Sequence, residues 1–440
     1  MKNMRPNWLH NAGIKELNDM QLSTIKAVAE NDSLVVLSPT GTGKTLAFLI
    51  AILENTKPVN RQIKALVVVP SRELALQVES VAKKLQTGLK ITACYGGHKR
   101  EIEENTLLEA PAILIGTPGR LGDHLRRNNI DLSNLEFLVL DEFDKMMELG
   151  FTEGIEFIYE NLPKSGFKQV VTSATNSSDK IPGFIANENA ITLNFLTNEI
   201  AADTLRIHTV NTPEKDKLPA LIRLLYFTGN TSSIVFCNHR DAVERVADSL
   251  SHAGLVVEFY HGGMEQKERE IALFKFRNGT AEILVTTDLA SRGLDITHIR
   301  SIIHYHLPLD EAAFTHRNGR TARMNTTGNV YLLIGPDEKK PAFLPESTSD
   351  FDIPTDVSLP EKPKWSTLFI DAGKKDKINK IDIVGFLSNK GELKKDDIGL
   401  IEVKDFFSFA AIRKSKVNSM LLKIRDQKMK NKKIKMALAK

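Results

Sequence analysis

Eight consecutive residues near the N-terminus have the types and spacing that bind a polyphosphate. They are Ser38, Pro39, Thr40, Gly41, Thr42, Gly43, Lys44 and Thr45. Apolar runs at 34–37 and 46–53 flank them, which predicts a turn between a buried strand and a helix. In such a turn backbone N–H groups cradle phosphate, Lys44 reaches the outer phosphates, and the Thr45 hydroxyl can hold Mg²⁺. An accidental glycine turn would not explain both apolar runs, although Ser38 replaces the first glycine of the general pattern.

A later acidic pair could complete a site for nucleoside triphosphate hydrolysis. Asp141 and Glu142 directly follow the apolar run 135–140, so both carboxylates are predicted at the end of a buried strand. Asp141 there can hold a metal ion, and Glu142 can orient a water molecule. An acidic pair alone is equally consistent with a solvated surface. Its position at a strand end, after a phosphate loop, favours the catalytic interpretation.

Buried-strand patterns alternate with helical patterns along most of the chain, which is typical of doubly wound parallel sheets. The strand-like runs of the first half are 34–37, 65–69, 113–115, 137–140 and 170–172. The pattern restarts after residue 205, with runs at 234–237, 256–260, 283–286, 301–304 and 330–334. The sequence therefore predicts two α/β domains, at 1–200 and 205–340, with a hinge near 200–205.

A third, basic unit is predicted at 364–440, after a proline-rich linker at 341–363. Its elements follow the order β-α-β-β-α-β, which is the order of an RNA-recognition-motif (RRM) fold. Residues 363–440 carry 20 Lys and Arg against 9 Asp and Glu, a net +11, whereas the whole chain carries +4. Such an excess suggests a polyanionic partner. A solvated basic tail is the alternative.

Composition and hydropathy indicate the cellular compartment in which the protein is expected. The two cysteines, Cys94 and Cys237, lie in separate apolar runs, which favours buried free thiols in a reducing compartment. No apolar stretch approaches the roughly 20 residues of a membrane span, and the N-terminus has no signal-peptide pattern. A cytoplasmic protein without a membrane partner is therefore expected.

Nine segments resemble, in order, the motifs of the DEAD-box RNA helicases, and the resemblance covers about residues 10–340. They are Gln21, 40–45, 70–77, 96–97, 117–120, 141–144, 173–175, 287–295 and 316–323. The resemblance implies two RecA-like domains, with ATP and Mg²⁺ as cofactors. It also implies that Ser173, Ala174 and Thr175 couple hydrolysis to RNA, and that ATP and RNA close the two domains over a shared cleft.

The resemblance assigns further nucleotide contacts. Gln21 would read adenine, because a side-chain amide can make two hydrogen bonds to the adenine edge. Asp295 would accept from the ribose hydroxyls, unless it is a helix cap. Arg320 and Arg323, three residues apart, would share a helical face and act as arginine fingers on the γ-phosphate. A surface basic cluster or a contact to the RNA backbone is the alternative for these arginines.

RNA contacts in the family fall mainly on sugar and phosphate. In the first domain they would come from Arg72, Gly97, Thr117, Gly119 and Arg120, and in the second from Gly263 and Thr287. For each of these residues a purely structural turn remains the alternative.

Several positions depart from the family pattern. Phe143 replaces Ala within the acidic tetrapeptide, so its ring must find a cavity near 173–175. Ile14 stands where an aromatic residue often flanks adenine, and Trp8 could substitute for an aromatic residue expected further upstream. Gly263 replaces Asp, and Ala322 replaces Gly. None of these changes removes a group that hydrolysis needs.

The C-terminal unit resembles the RNA-binding domain of DbpA-type helicases, through 367–373, 397–403, 406–409 and 429–437. This resemblance implies structured ribosomal RNA as the target and a role in large-subunit assembly. Phe407 and Phe409 alternate, so both rings could form a base-stacking face, or they could fill the small core. Phosphate contacts are predicted for Lys432, Lys433 and Lys435, with a solvated basic face as the alternative.

Together these features predict an ATP-dependent RNA helicase that separates short duplexes locally. Two other functions remain open. An RNA chaperone or clamp with slow ATP hydrolysis would keep every motif. A DNA helicase is disfavoured by Gln21, by 173–175 and by the RRM-like unit.

Overall fold

The computed structural model describes residues 5–56, 61–97, 100–164, 166–175, 182–185, 190–196, 205–291, 299–321, 327–430 and 432–439. These residues form two compact units, the first ending at 196 and the second beginning at 205. The predicted hinge at 200–205 falls almost entirely outside the described residues and stays a prediction. None of the helices that the described residues form is long and apolar enough to cross a bilayer.

The first unit is a seven-stranded parallel sheet flanked by helices. Its strands are β1 (Ser33–Leu37), β2 (Ala65–Val68), β3 (Ile91–Cys94), β4 (Ile113–Gly116), β5 (Phe137–Leu140), β6 (Lys168–Ser173) and β7 (Ile191–Asn194). Its helices are α1 (Arg5–Asn11), α2 (Asp19–Glu30), α3 (Lys44–Asn55), α4 (Arg72–Lys84), α5 (Arg100–Leu107), α6 (Pro118–Arg126), α7 (Phe143–Glu148) and α8 (Thr152–Glu160). The strand order is β3-β4-β2-β5-β6-β1-β7, with every pair parallel.

The second unit begins with another seven-stranded parallel sheet. Its strands are β8 (Leu205–Asn211), β9 (Ser233–Phe236), β10 (Val257–Tyr260), β11 (Ile283–Thr286), β12 (Ser301–His304), β13 (Gly328–Ile334) and β14 (Ser349–Asp350). The described residues also form the helices α9 (Leu218–Thr228), α10 (Arg240–His252), α11 (Gln266–Arg277) and α12 (Glu311–Asn318). The strand order is β10-β11-β9-β12-β13-β8-β14, again parallel throughout.

The C-terminal domain is a small antiparallel sheet with two helices. In chain order its elements are β15 (Trp365–Ile370), α13 (Lys380–Asn389), β16 (Ile398–Val403), β17 (Ser408–Arg413), α14 (Val417–Ile424) and β18 (Met436–Leu438). The strand order is β16-β17-β15-β18. The predicted β-α-β-β-α-β order is therefore confirmed, as is the fold class of two RecA-like parallel-sheet domains followed by an RRM-like domain.

Part of the segment predicted as a linker packs on the second α/β domain. Its residues 349–350 form β14, which pairs with β8. The Phe351 and Ile353 side chains then pack against the core of that domain, and the Arg223 Nη2 donates to the Ile353 carbonyl at 2.8 Å. The C-terminal domain thus follows a segment that is itself anchored.

The sheet edges explain where the predicted motifs lie. In a parallel α/β sheet the carboxyl ends of all strands lie along one edge, and ligands bind there. Residues that follow β1, β2, β3, β4, β5 and β6 accordingly gather at one edge of the first sheet. These are the residues to which the sequence assigns nucleotide and RNA contacts.

Candidate nucleotide and RNA site

The phosphate loop joins β1 to α3, as predicted. Gly41 and Gly43 adopt φ of 85° and 89°, a region that glycine enters without steric cost. The Lys44 ammonium is buried and donates to the Ser38 carbonyl and, at 3.1 Å, to the Pro39 carbonyl. The cation therefore lies inside the curve of the loop, where it can turn to a phosphate.

Gln21 is tied to the phosphate loop as well as to its own helix. It forms a capping box with Asn18 at the start of α2, and its Nε2 donates to the Gly43 carbonyl at 3.2 Å. The Asn18 Nδ2 donates to the Thr42 carbonyl at 2.9 Å. A Cβ added at Gly43 would lie 2.3 Å from the Gln21 Nε2. The predicted adenine reader and the phosphate loop thus form one contiguous surface.

The two carboxylates lie at the end of β5. Asp141 accepts a hydrogen bond from the Thr172 hydroxyl at 2.5 Å and another from the Glu142 backbone N–H at 3.1 Å. Burial raises the pKa of Asp141, and the nearby Lys44 ammonium opposes that rise. Glu142 adopts φ 51° and ψ 51° at the start of α7, a left-handed conformation that non-glycine residues seldom adopt.

The residues present fit a magnesium ion. Mg²⁺ prefers oxygen ligands, and Asp141 offers a carboxylate beside the Lys44 cation of the phosphate loop. A bound cation would oppose the rise in pKa that burial causes, because it favours the ionised carboxylate. Asp141 and Thr45 therefore remain the proposed metal ligands.

Phe143 is buried in the apolar cluster that also contains Leu37, Leu140 and Val171. The cavity expected for its ring is thus part of the ordinary core. The next residue connects the acidic tetrapeptide to the predicted coupling segment, because the Thr175 hydroxyl donates to the Asp144 Oδ2 at 3.1 Å. Ser173 closes that segment through its hydroxyl, which donates to the Thr175 carbonyl at 2.8 Å. Ala174 is buried between them.

The turns that follow β2, β3 and β4 bring the predicted RNA contacts of the first domain together. The Arg72 guanidinium lies over the Tyr95 ring at 4.6 Å, and a Cβ on Gly97 would lie 3.0 Å from the Arg72 Nη1. Arg120 Nε donates to the Tyr95 carbonyl at 3.2 Å. Thr117 and Gly119 open α6 beside these residues. Space around Gly119 is open, so contacts with the protein do not require a glycine there.

A similar arrangement exists in the second domain. Gly263, which follows β10, would place a Cβ 3.5 Å from the Arg240 Cδ and 3.2 Å from the His261 Nδ1. Arg240 begins α10 after β9, as Arg72 begins α4 after β2. Thr287 follows β11, and its carbonyl accepts from the Thr286 hydroxyl at 3.0 Å. Sequence reasoning missed Arg240, although a basic residue after the second strand was a usable signal.

Arg317 lies within the motif segment 316–323, but the sequence assigned it no role of its own. It is fully buried, and it pairs with Asp288 at 2.5 and 3.1 Å. It also donates to the Asn238 Oδ1 at 2.8 Å and to the His306 carbonyl at 3.0 Å. Burial and then the Arg317 charge lower the pKa of His304 to about 3. The Arg317 side chain therefore connects the turns that follow β9, β11 and β12 through hydrogen bonds.

The predicted arginine fingers are only partly visible. Helix α12 ends at Asn318 and is capped by Gly319, so Arg320 follows the helix. The expectation that Arg320 and Arg323 share one helical face involves a residue outside the described ones, so it stays a prediction. Arg320 itself is buried. Arg323, Ala322 and Asp295 lie outside the described residues, and their roles stay predictions.

The aromatic face of the C-terminal sheet is covered. Phe407 and Phe409 do share a face, with ring centroids 5.3 Å apart. Phe409 has no exposed surface, and its ring stacks on Phe274 of α11 at 4.8 Å. Lys267 of the same helix lies 4.8 Å from the Phe369 ring. In this arrangement the prediction of a base-stacking platform at Phe409 is wrong, because α11 occupies that face.

Exposed lysines form a different surface on the C-terminal domain. Lys432 lies 3.6 Å from Asp376, Lys433 lies 3.3 Å from Asp426, and Lys435 is exposed. The Asp376 contact places Lys432 beside the exposed residues Lys374, Lys375 and Lys377, while Lys430 donates to the Lys377 carbonyl at 2.8 Å. Sequence reasoning missed these four additional lysines, although three stand in the run 374–377.

Comparisons with known proteins agree with this geometry. Residues 18–181 match the DEAD/DEAH box helicase family, 216–325 the helicase conserved C-terminal domain, and 367–438 the DbpA RNA binding domain. The chain is 30% identical to the ATP-dependent RNA helicase DbpA of Escherichia coli K12, over 98% of this chain and 96% of that protein. It is 28% identical to the Bacillus subtilis 168 protein of the same name, over 97% and 95%. Among solved structures, S. cerevisiae Dbp5 bound to RNA and ADP BeF3 matches with a TM-score of 0.66 and 25% identity, over 74% of this chain and 86% of that chain.

Proposed function

The chain belongs to the DEAD-box ATP-dependent RNA helicases, and from that premise we propose that it separates short RNA duplexes locally. One observation carries the proposal. The phosphate loop, the Asp141–Glu142 pair and the turns with Arg72, Gly97 and Arg120 all follow strands of a single parallel sheet, at its carboxyl edge. ATP and an RNA backbone can therefore bind along one edge, so a change at one site can reach the other.

The nucleotide site has a residue for each task of hydrolysis. The Lys44 ammonium would leave the loop carbonyls for the outer phosphates. Gln21 would exchange its contacts with Asn18 and Gly43 for the adenine edge. Mg²⁺ would neutralise charge that develops on the phosphates. Glu142 would orient the attacking water, and Arg320 with Arg323 would stabilise the charge on the transferred phosphoryl group.

RNA recognition by the α/β domains would fall on sugar and phosphate. Arg72 and Arg120 are planar guanidinium groups suited to phosphate oxygens. Gly97 and Gly263 would let the backbone approach closely, and Thr287 would contribute from the second sheet. Arg240 joins this set because it stands to Gly263 as Arg72 stands to Gly97.

The C-terminal domain would select the RNA through its lysine surface rather than its aromatic face. Lys432, Lys433 and Lys435, with Lys374, Lys375, Lys377 and Lys430, offer positive charge that α11 leaves accessible. Contacts to phosphate strengthen binding without reading sequence, so shape recognition of a structured RNA fits this surface. We propose ribosomal RNA as the target and large-subunit assembly in the cytoplasm as the process.

Strand separation tests the helicase assignment against its rivals. A short RNA duplex beside a ribosomal RNA fragment should separate in a single turnover with ATP and stay paired without it. Separation at the same rate without ATP would indicate a chaperone or clamp. Equal stimulation of hydrolysis by DNA and RNA of one sequence would indicate a DNA helicase.

Removal of the C-terminal domain tests the target assignment. A chain ending at Pro363 keeps β14 and both parallel sheets, so it should still hydrolyse ATP. It should lose its preference for ribosomal RNA fragments over unrelated RNA. Replacing Lys432, Lys433 and Lys435 together in the full chain should flatten the dependence of RNA affinity on salt. Undiminished discrimination by the shortened chain would contradict the proposal.

A further inference from the structure

A buried carboxylate lies beneath the RNA-contacting turns of the first domain. Glu103, on α5, is only 3% exposed. Its Oε1 accepts from the Tyr95 backbone N–H at 2.9 Å. Its Oε2 lies 3.2 Å from the Arg120 Nε and 2.8 Å from the His124 Nε2. Neither the nucleotide site nor the proposed RNA contacts assigns a role to Glu103 or to His124.

The hydrogen-bond directions around Glu103 follow from its neighbours. The Asn129 Nδ2, an amide nitrogen that can only donate, lies 3.2 Å from the His124 Nδ1. His124 must therefore accept at Nδ1 and carry its proton at Nε2, from which it donates to Glu103. Glu103 thus receives hydrogen bonds from a backbone amide, a guanidinium and an imidazole. A buried carboxylate is tolerated when it is satisfied in this way.

Two partners of Glu103, Arg120 and Tyr95, lead to proposed RNA contacts. Arg120 is such a contact itself, and its Nε also donates to the Tyr95 carbonyl. The Tyr95 ring supports the Arg72 guanidinium at 4.6 Å. Tyr95 also lies two residues before Gly97, at which a Cβ would lie 3.0 Å from Arg72. One carboxylate therefore connects the turns that follow β2, β3 and β4.

We propose that Glu103, supported by His124, is a positioning residue for RNA binding. It holds Arg120 and the Tyr95 backbone, and through the Tyr95 ring it holds Arg72, in the arrangement that the RNA backbone requires. Preorganisation of this kind raises affinity because the side chains lose little freedom on binding. The inference rests on the proposed RNA contact of Arg120, which it deepens.

A metal site is the competing explanation for this cluster. Ligand atoms of Cys94, Glu103 and His124 lie within 4.8 Å of one another. Two of these three side chains already have polar partners in the protein. Glu103 pairs with the Arg120 guanidinium, and the His124 Nδ1 accepts from the Asn129 amide. Burial, and then Glu103, raise the pKa of the Cys94 thiol, whereas metal ions bind the thiolate. The contacts within the protein therefore satisfy the cluster without an ion.

Substitution of Glu103 in the full chain tests the proposal. Glu103→Leu should weaken binding of single-stranded RNA about tenfold, because Arg120 loses a charge-assisted partner. Glu103→Gln should have a smaller effect, since its single oxygen can still accept from Arg120 and His124. ATP affinity, measured without RNA, should stay within about twofold, because Glu103 has no contact with the phosphate loop among the described residues. Glu101→Leu, an exposed change on the same helix, is the matched control.

A double-mutant cycle separates positioning from general structural support. If Glu103 acts through Arg120, its substitution should add little once Arg120→Ala is present. Full additivity would overturn the proposal, as would unchanged RNA binding by Glu103→Leu or a stoichiometric metal ion in the purified protein. If Glu103→Leu does not fold, the cycle with Glu103→Gln decides. Unchanged RNA binding by Arg120→Ala would instead overturn the RNA contact on which the inference rests.

Discussion

The two α/β domains share one strand order but differ in the chemistry of their loops. When the strands of each domain are numbered from its own first strand, both sheets read 3-4-2-5-6-1-7. The first strand of the first sheet leads into the glycine-rich phosphate loop. The first strand of the second sheet leads into residues 212–217, which contain no glycine. There Lys217 is buried and donates to Glu338 at 2.7 and 2.9 Å and to the Leu333 carbonyl at 3.1 Å.

The turns after the second and third strands are alike in the two domains. Each pairs an arginine at a helix start with the second glycine of a Gly-Gly dipeptide, Arg72 with Gly97 and Arg240 with Gly263. We therefore expect the sheet to supply a binding edge in both domains, with the loops determining what binds. Among the described residues the glycine-rich phosphate loop proposed to bind the nucleotide belongs to the first domain, whereas both domains have the turns proposed for RNA.

Among the changes that test this difference between the domains, Glu142→Gln should have the largest effect, and that effect is on ATP hydrolysis. An amide cannot accept a proton from water, so RNA-stimulated hydrolysis should fall about 10³-fold while ATP still binds. The matched change at the equivalent edge of the second sheet, Glu338→Gln, should leave turnover nearly unchanged. Steady-state phosphate release measures both variants. Wild-type turnover by Glu142→Gln would show that the catalytic assignment is wrong.

Lys44→Ala and Lys217→Ala compare the two lysines that follow the first strands. Lys44→Ala removes the charge proposed for the outer phosphates, so ATP affinity should fall by about two orders of magnitude. Lys217→Ala breaks an ion pair within the protein, so it should lower the Tm and leave ATP affinity near wild type. Titration with a fluorescent ATP analogue and thermal unfolding distinguish the outcomes. Loss of ATP binding by the Lys217 variant would contradict the proposed asymmetry.

Arg72→Ala and Arg240→Ala test whether the similar turns of the two domains bind RNA in the same way. Each should weaken RNA binding about tenfold, because each removes a charged donor to phosphate. Each should also reduce the slope of log affinity against log salt by about one phosphate contact. RNA titrations at several salt concentrations give both quantities. An effect at Arg72 alone would mean that the second domain does not share this mode of binding.

The pH dependence of ATP binding should show the smallest effect. Burial raises the pKa of Asp141, and only its ionised form can hold Mg²⁺. Mg²⁺-dependent ATP affinity should therefore decline as the pH falls through that raised pKa, at a higher pH than for an ordinary carboxyl group. The decline should be several-fold and absent in Asp141→Asn, which binds more weakly throughout. If Asp141→Asn shows the same decline with falling pH as the wild type, the titrating group is not Asp141.

Sequence reasoning found the central strands because they are continuous apolar runs. It gave 137–140 with the observed bounds and 113–115 to within one residue of β4. It missed β7, which is largely exposed, and β8, in which polar and apolar residues alternate. The strand β7 lies at the edge of its sheet, and β8 has only the two-residue β14 beyond it. Strands near an edge bury less surface, so their patterns resemble loops. The short β14 was hidden in a segment whose prolines predicted a linker.

Motif spacing predicted the positions of the phosphate loop and the acidic pair better than the covered face of the C-terminal sheet. The residues that follow β1, β5 and β6 are fixed by local context, so Lys44, Asp141 and Thr175 lie where the motifs placed them. The Phe274–Phe409 contact joins two domains, and no local pattern reveals which face of a small sheet another helix will cover. Arg317 was assigned no role because long-range partners, Asp288 and Asn238, are what make a fully buried arginine tolerable.

The left-handed backbone of Glu142 has a consequence for any attempt to stabilise this protein. A side chain in that region costs about 1 kcal/mol, a cost that glycine would not incur. The carboxylate that we propose to orient the attacking water therefore stands at a position where folding stability alone would favour its loss. Selection for heat resistance without selection for turnover would therefore favour replacement of Glu142. A thermostable variant should be screened for hydrolysis as well as for its melting temperature.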